Sequence, residues 1–463
     1  MRPSSAPARV LDRIGSAFRA RRVPIYLVGG SVRDELLDRV HEDLDLTTPA
    51  EPPHVREILR DAAPRAIFDV GERFGTIGAM FDDEDGPMKV EVTTYRSDSY
   101  VSGSRKPGVT FGTSLVDDLA RRDFSINAMA RAVDEDEIID PFGGQIDLRA
   151  RRVRAVGEAA SRFAEDPLRM LRAVRFAAQL GFSIERETAD AIVESARTLA
   201  TISRERVVEE MHRILLSDEV ARGLELLVEF GLMEWIIPEL LALIETTDGN
   251  RTKHVFAHTV RVVENAPPVL VTRWAALLHD IGKPSTRIVV DGEVHFPGHE
   301  VVGESLARAI LQRLRLEGDL NERIARLVGL HMRVNQYSDE WTDGAIRRLM
   351  REAGDDFGTL LDLSAADVTS ARTHRVARAR GRVAALRRRA GDLVAREAIS
   401  DLRSPLDGTE LMALFGRSPG PWIRPIKAHL LDLVLDGSLA TSDKEAARDI
   451  ALAFVATSQE REA

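Results

Sequence analysis

The chain has 463 residues, no cysteine, 44% hydrophobic and 30% charged residues, and a formal net charge of −10. Such a length exceeds one ordinary core and suggests about two to four domains. The composition is that of a folded chain, the lack of cysteine excludes disulfides, cysteine–zinc sites and thiol catalysis, and the acidic balance excludes a generally basic nucleic-acid coat while leaving room for a local basic surface. The opening "MRPSSAPARVLDRIG" has no apolar core of signal-peptide length, and no later stretch reaches ~20 uninterrupted apolar residues. The expectation is a cytoplasmic protein with no membrane partner.

In chain order, the first third alternates apolar strands with turns: "VPIYLVGG", "RAIFDVGERFGTIGAMF" and "MKVEVTTYR", with a helical pattern "SVRDELLDRV" after the first. "VGGSVRD" ends a strand at Gly29-Gly30 and opens a helix at Ser31. Such a junction lets backbone N–H groups approach a phosphate, with Arg33 close by; it is equally a tight turn with Ser31 as N-cap. "DLDL" then puts Asp43 and Asp45 on one strand face and Leu44 and Leu46 on the other. Carboxylates so spaced suit Mg²⁺, and Glu91 in "KVEVTTYR" offers a third; a solvated surface pair is the bland alternative.

After about residue 156 the pattern becomes helical: "RMLRAVRFAAQLGF", "ADAIVESARTL", "RVVEEMHRILL" and "ARGLELLVEFGL" repeat apolar residues at steps of three and four. Helices continue to the end, except for a hairpin expected at "TRIVVDGEVHF", turning at Asp291-Gly292.

Three ordered motifs, "LVGGSVRDELL…EDLDL", "LARRDFSINAMA" and "EDPLRMLRAVRFAAQLGF", resemble those of the class II tRNA nucleotidyltransferases over roughly residues 22 to 215. That family unites CCA-adding enzymes and bacterial poly(A) polymerases within the polymerase-beta-type superfamily. The resemblance implies an α/β polymerase-beta-like nucleotidyltransferase head followed by an elongated all-α body. Gly29, Gly30, Ser31 and Arg33 would hold a triphosphate, and Asp43, Asp45 and Glu91 would be catalytic, the two aspartates holding Mg²⁺. Arg122 and Asp123 would recognise ribose and phosphates, supported by Asn127; an ion pair at a helix start, with Phe124, Ile126 and Met129 as core, is the structural alternative. Asp166 and Arg169, expected three apart on one helix face, would read cytosine and adenine without a template, Arg172 would join the nucleotide site, and Arg206 and Glu209 would brace that helix. The segment 96–120 occupies the place of the family's flexible loop, with a plain surface loop as the alternative.

Further on, "KHVFAHTVRVVENAPPVLVTRWAALLHDIGKPSTR" resembles the HD phosphohydrolase superfamily. His258, His279, Asp280 and Asp367 would be ligands of a divalent transition metal, joined by His299 and His331. The Arg-dense "ARTHRVARARGRVAALRRRAGDLVAR" is the candidate RNA contact, through Arg375, Arg378, Arg382 and Arg387, though a charge run is often only a solvated face. The resulting division is a head over 1–156, a nucleotide-selecting neck over 157–245, an HD domain over 246–370 and a tRNA-binding tail over 371–463. The expected activity is addition of C, C and A from CTP and ATP to the tRNA 3′ end, with contacts to the acceptor and T arms, by a monomer or homodimer. Poly(A) synthesis or partial addition, an HD hydrolase with a vestigial head, and a non-catalytic RNA binder are the alternatives. Intact Asp43, Asp45 and Asp166 argue against the last two.

Overall fold

A computed structural model describes residues 6–39, 43–71, 75–83, 86–99, 108–247, 254–369, 373–396 and 403–459. The chain divides into two compact units, 1–238 and 239–463.

In the first unit a seven-stranded mixed sheet is built from β1 (Tyr26–Val28), β2 (Asp43–Thr48), β3 (Ala66–Gly71), β4 (Thr76–Asp83), β5 (Gly86–Thr94), β8 (Ala130–Ala132) and β9 (Ile138–Ile139). A separate ribbon pairs β6 (Arg96–Ser99) with β7 (Gly108–Phe111). The sheet order is β3-β4-β5-β2-β1-β8-β9, and only the central β2–β5 pair is parallel. Alternation makes β2 a strand with two opposed faces: Leu44 and Leu46 are buried while Asp43 and Asp45 turn the other way. Helices Ala6–Ala20 and Pro52–Asp61 pack on the sheet through Val10, Ile14, Phe18, Val55, Ile58 and Leu59, all fully buried. A bundle follows in which Leu168–Leu180 packs against Arg204–Leu215 and Val220–Glu229. The expected loop at 96–120 is in part the β6–β7 ribbon and the helix Leu115–Ala120; residues 100–107 at its centre lie outside the described residues.

The second unit is helical apart from the hairpin Ile288–Val290/Glu293–His295, which turns at Asp291 and Gly292 as expected, both at positive φ (53° and 79°). Helices Val255–Asn265, Leu270–Leu278, Gly318–Asn335 and Phe357–Ala366 share a core that includes Trp274, Leu278, Leu327, Val328 and Leu360. A smaller cluster, with Leu406, Leu411, Ile426, Leu430 and Ala451, closes the C-terminal part.

Candidate functional site

The parallel register sets Asp43 opposite Lys89 and Asp45 directly opposite Glu91, so the three carboxylates expected from the sequence lie on one patch of the sheet. Lys89 Nζ lies 2.6 Å from Glu91 Oε1. Burial pushes the Asp45 carboxyl above its ordinary range; Arg122 opposes this, while Glu91 and Asp43 push the same way. Three like-charged carboxylates on two neighbouring strands form the donor set of a hard divalent cation.

Next to this patch, the helix Gly30–Leu36 begins one residue earlier than its sequence suggests. Its cap is Gly29, at φ 68°, with no side-chain capping bond. Ser31 is therefore not the N-cap. Its hydroxyl is buried and accepts from Asp45 N (2.9 Å) while donating to Asp43 O (3.4 Å), which locks the helix onto the acidic strand. Gly29 is required: a Cβ there would stand 2.7 Å from Arg122 Nη1.

One cleft of about 490 Å³ joins Gly29, Gly30 and Asp45 to nine arginines against three aspartates, and a second of about 450 Å³ shares Gly30, Arg33 and Asp45 with it. Such an excess of guanidinium groups suits a triphosphate. Asp123 organises part of the wall, accepting from Arg172 Nε (2.7 Å), Asn127 Nδ2 (3.1 Å) and Phe124 N (2.8 Å). Although burial alone would raise it, Arg172 and Asn127 hold its carboxyl down to about 2. Arg33 donates to Asn127 Oδ1 (2.7 Å) and to its neighbour Asp34. Arg33, Arg172 and Arg175 all stack around the Phe176 ring, at 5.1, 5.6 and 4.0 Å. The buried Arg122 Nε has no hydrogen-bond partner among the described residues, an unsatisfied donor of the kind an anion would fill. The ion-pair alternative for Arg122 and Asp123 does not hold between those two: Arg122 pairs with Asp118 and Asp123 with Arg172. Phe124, Ile126 and Met129 are core, fully buried.

The expected geometry of Asp166 and Arg169 needs correction. The helix starts at Leu168, so Asp166 precedes it, in extended conformation (φ −145°, ψ 101°), because the following Pro167 disfavours helical backbone there. Asp166 accepts from Leu168 N (3.1 Å) and from Arg206 Nη2 (2.7 Å), whereas Arg169 donates to Glu165 Oε2 (2.7 Å) and Arg121 O (3.0 Å). Both still line the cleft, and Arg206 braces Asp166 itself. Glu209 pairs with Arg213 at 3.1 Å.

In the second unit all six expected ligands converge. Asp280 lies 3.1 Å from His279 Nε2, 3.5 Å from His258 Nε2 and 3.6 Å from His299 Nε2; His258 is 3.0 Å from Asp367, and His299 is 3.3 Å from His331. His279, His299 and His331 meet the carbonyls of Ala276, Phe296 and Val328 through Nδ1 (2.7 to 2.9 Å), and His258 meets Thr369 Oγ1 (2.7 Å), so each Nε2 faces the centre. Asn335 donates to Asp367 (3.3 Å) and Lys283 to Asp280 (2.7 Å). Burial and His279 hold His331 down to about 4; burial would lower His279 too, but Asp280 and Asp367 raise it. Imidazole nitrogens and carboxylates with anchored outer nitrogens fit a divalent transition metal. Of the candidate RNA contacts, Arg378 and Arg382 are exposed on the helix Thr373–Arg396, Arg387 is tied to Asp362 at 2.6 Å, and the Arg375 side chain lies outside the described residues.

Asp118, Lys89, Lys283, Asn335 and Thr369 escaped the sequence reading. Asp118 had a local signal in its three- and four-residue spacing to Arg121 and Arg122 in "VDDLARRD", and Lys283 in its three-residue spacing from Asp280 in "HDIGK".

Fold and cleft together define a nucleotidyltransferase head followed by a helical body that includes an HD domain. Residues 25–154 match the poly A polymerase head domain, 181–244 the probable RNA and SrmB-binding site of polymerase A, and 252–372 the HD domain. The A-adding tRNA nucleotidyltransferase of Deinococcus radiodurans is 34% identical over 429 residues, covering 90% of this chain and 92% of that one. The chain belongs to the tRNA nucleotidyltransferase family. CCA-adding enzymes of Geobacillus sp. (strain WCH70) and Geobacillus thermodenitrificans are 44% and 42% identical over 46% and 57% of this chain, matches that span only 50% and 60% of those enzymes. The Bacillus stearothermophilus CCA-adding enzyme in complex with CTP superposes with a TM-score of 0.71 at 27% identity, covering 99% of this chain and all of that one. No helix among the described residues is long and apolar enough to cross a membrane.

Proposed function

We propose that this chain adds C, C and A to tRNA 3′ ends from CTP and ATP, releasing pyrophosphate. The observation that carries the reading is the register placing Asp45 beside Glu91, with Asp43 two residues away, at the edge of the arginine-lined cleft. When bound there, two Mg²⁺ ions would lower the pKa of the RNA 3′-hydroxyl and offset charge on the departing pyrophosphate. Asp43 and Asp45 would hold them, with Glu91 in support. Gly29 lets Arg122 come close to the helix start, and Arg33, Arg122 and Arg172 orient the triphosphate. Asp123 fixes Arg172 and Asn127 fixes Arg33. Asp166 accepts from the exocyclic amino group common to cytosine and adenine, and Arg169 donates to ring acceptors. The four-part division given by the sequence, with Arg378, Arg382 and Arg387 meeting tRNA, belongs to the same proposal, as does a cytoplasmic location.

A second reading, addition of the terminal A alone, is favoured by the Deinococcus relative, which aligns over nearly the whole chain. The HD centre would add hydrolysis of a phosphoester such as a 2′,3′-cyclic phosphate. An extension assay separates the first two readings: tRNA ending at its discriminator base receives CTP, ATP or both, and products are sequenced. Growth by CC with CTP and completion by A with both establishes CCA addition. Extension only of a tRNA already ending in CC establishes A addition, and long A tracts point to poly(A) synthesis.

A further inference from the structure

We propose that Asp118 is a positioning residue of the nucleotide cleft, tying the acidic strand β2 to the arginine wall and setting where the Arg122 guanidinium stands. The inference rests on the reading of that cleft as the nucleotide site. Asp118, in the helix Leu115–Ala120, is completely buried. Its Oδ1 accepts from Arg121 Nε (3.0 Å) and Nη2 (2.6 Å); its Oδ2 accepts from Arg122 Nη2 (3.4 Å) and Thr47 Oγ1 (3.3 Å).

Each contact leads into the site. Thr47 lies two residues beyond Asp45 on β2, and its hydroxyl also donates to Thr93 O (3.0 Å) on β5, the strand of Glu91. Arg122 reaches the Gly29 turn with its other nitrogen. The Arg121 carbonyl receives Arg169 Nη2 at 3.0 Å. One carboxylate thus touches β2 directly through Thr47, β5 through that same hydroxyl, the phosphate-side arginine directly, and the base-side arginine through one residue.

A role in stability alone is a poor account of this arrangement. Buried ion pairs contribute little net stability compared with well-packed apolar side chains, whereas they fix geometry. Arg122 also faces a competing partner, because it lines the same cleft as Asp45. Without Asp118 nothing on the Leu115–Ala120 helix would hold Arg122 away from the acidic patch, and a guanidinium paired there would be lost to the triphosphate.

The test is equilibrium binding of CTP and of ATP, by calorimetry on the full chain without RNA, for wild type, Asp118→Asn, Arg122→Gln and the double variant, each with its melting temperature. Asp118→Asn is expected to weaken both nucleotides to a similar extent, about tenfold, and to cost little once Arg122 is already Gln, because the two act through one guanidinium. Unchanged affinity in a folded Asp118→Asn protein, or losses that simply multiply in the double variant, would overturn the proposal. If Asp118→Asn does not fold, Thr47→Val removes only the hydroxyl that meets Asp118; it must show the same coupling to Arg122→Gln at smaller amplitude, and independence there overturns the proposal equally. A wild-type protein that binds neither nucleotide overturns the cleft reading itself, and with it the role given to Asp118.

Discussion

At the residue scale, the acidic patch and the Asp123 cluster behave in opposite ways. Burial and like charge work against ionisation of Asp45, so the patch stays electrostatically incomplete until a cation arrives. Replacing Asp43 or Asp45 by Ala should lower nucleotide transfer by about a thousandfold or more, on the order of 4 kcal/mol of transition-state stabilisation, while leaving nucleotide binding by the arginine wall measurable by calorimetry. Asp123 is already satisfied. Its carboxyl is held down to about 2 from an ordinary 3.8, so its stabilisation is complete above the ordinary value and fades as pH falls from there toward 2. That amounts to about 2 kcal/mol at neutral pH. The melting temperature of wild type should exceed that of Asp123→Asn at pH 7, and the gap should narrow through pH 4 to 2; a gap that stays constant with pH would rule this out.

At the scale of elements, two glycines decide where helices and turns can sit. Gly29→Ala forces an L residue into φ 68° and drives a methyl against Arg122, so it should lower stability by about 1 kcal/mol or more and weaken CTP binding, as read by melting and calorimetry. A Cβ at Gly282 would lie 2.2 Å from His299 O and 2.8 Å from Gly303 N. Gly282→Ala should therefore push the helix His299–Arg313 off its place and reduce the metal content of the purified protein, with head activity unchanged. What the sequence made legible follows the same division. Period-two alternation marked β2 and β5, and spacing alone put Asp43 and Asp45 on one face. Pro167 was in plain view, yet the helical rhythm of "LRMLRAVRF" concealed that Asp166 stands before the helix. Thr369, the tie of Ser31 to β2 and the contact of Asp118 with Thr47 were illegible because those partners come from other elements, and no local pattern marks a hydroxyl or carboxylate whose work is to hold a distant neighbour.

For the whole molecule, the proposed reading gives the two units separate chemistries. Asp43→Ala should abolish extension of tRNA and spare phosphoester hydrolysis by the second unit, and Asp280→Ala should do the reverse; loss of both activities in either variant would show that the units depend on each other. Chelation with EDTA followed by readdition of single metals, read by metal analysis and melting curves, should lower and then restore the stability of the second unit. The carbonyls of Ala276, Phe296 and Val328, which orient three of the imidazoles, belong to different parts of that unit's chain. The cage therefore does not exist in a nascent chain and is assembled only by completed packing. Whatever ion a purified sample retains would then reflect the metals at hand when each molecule finished folding, so growing cells in media of different metal supply should change the metal content of otherwise identical protein until a chelator strips it.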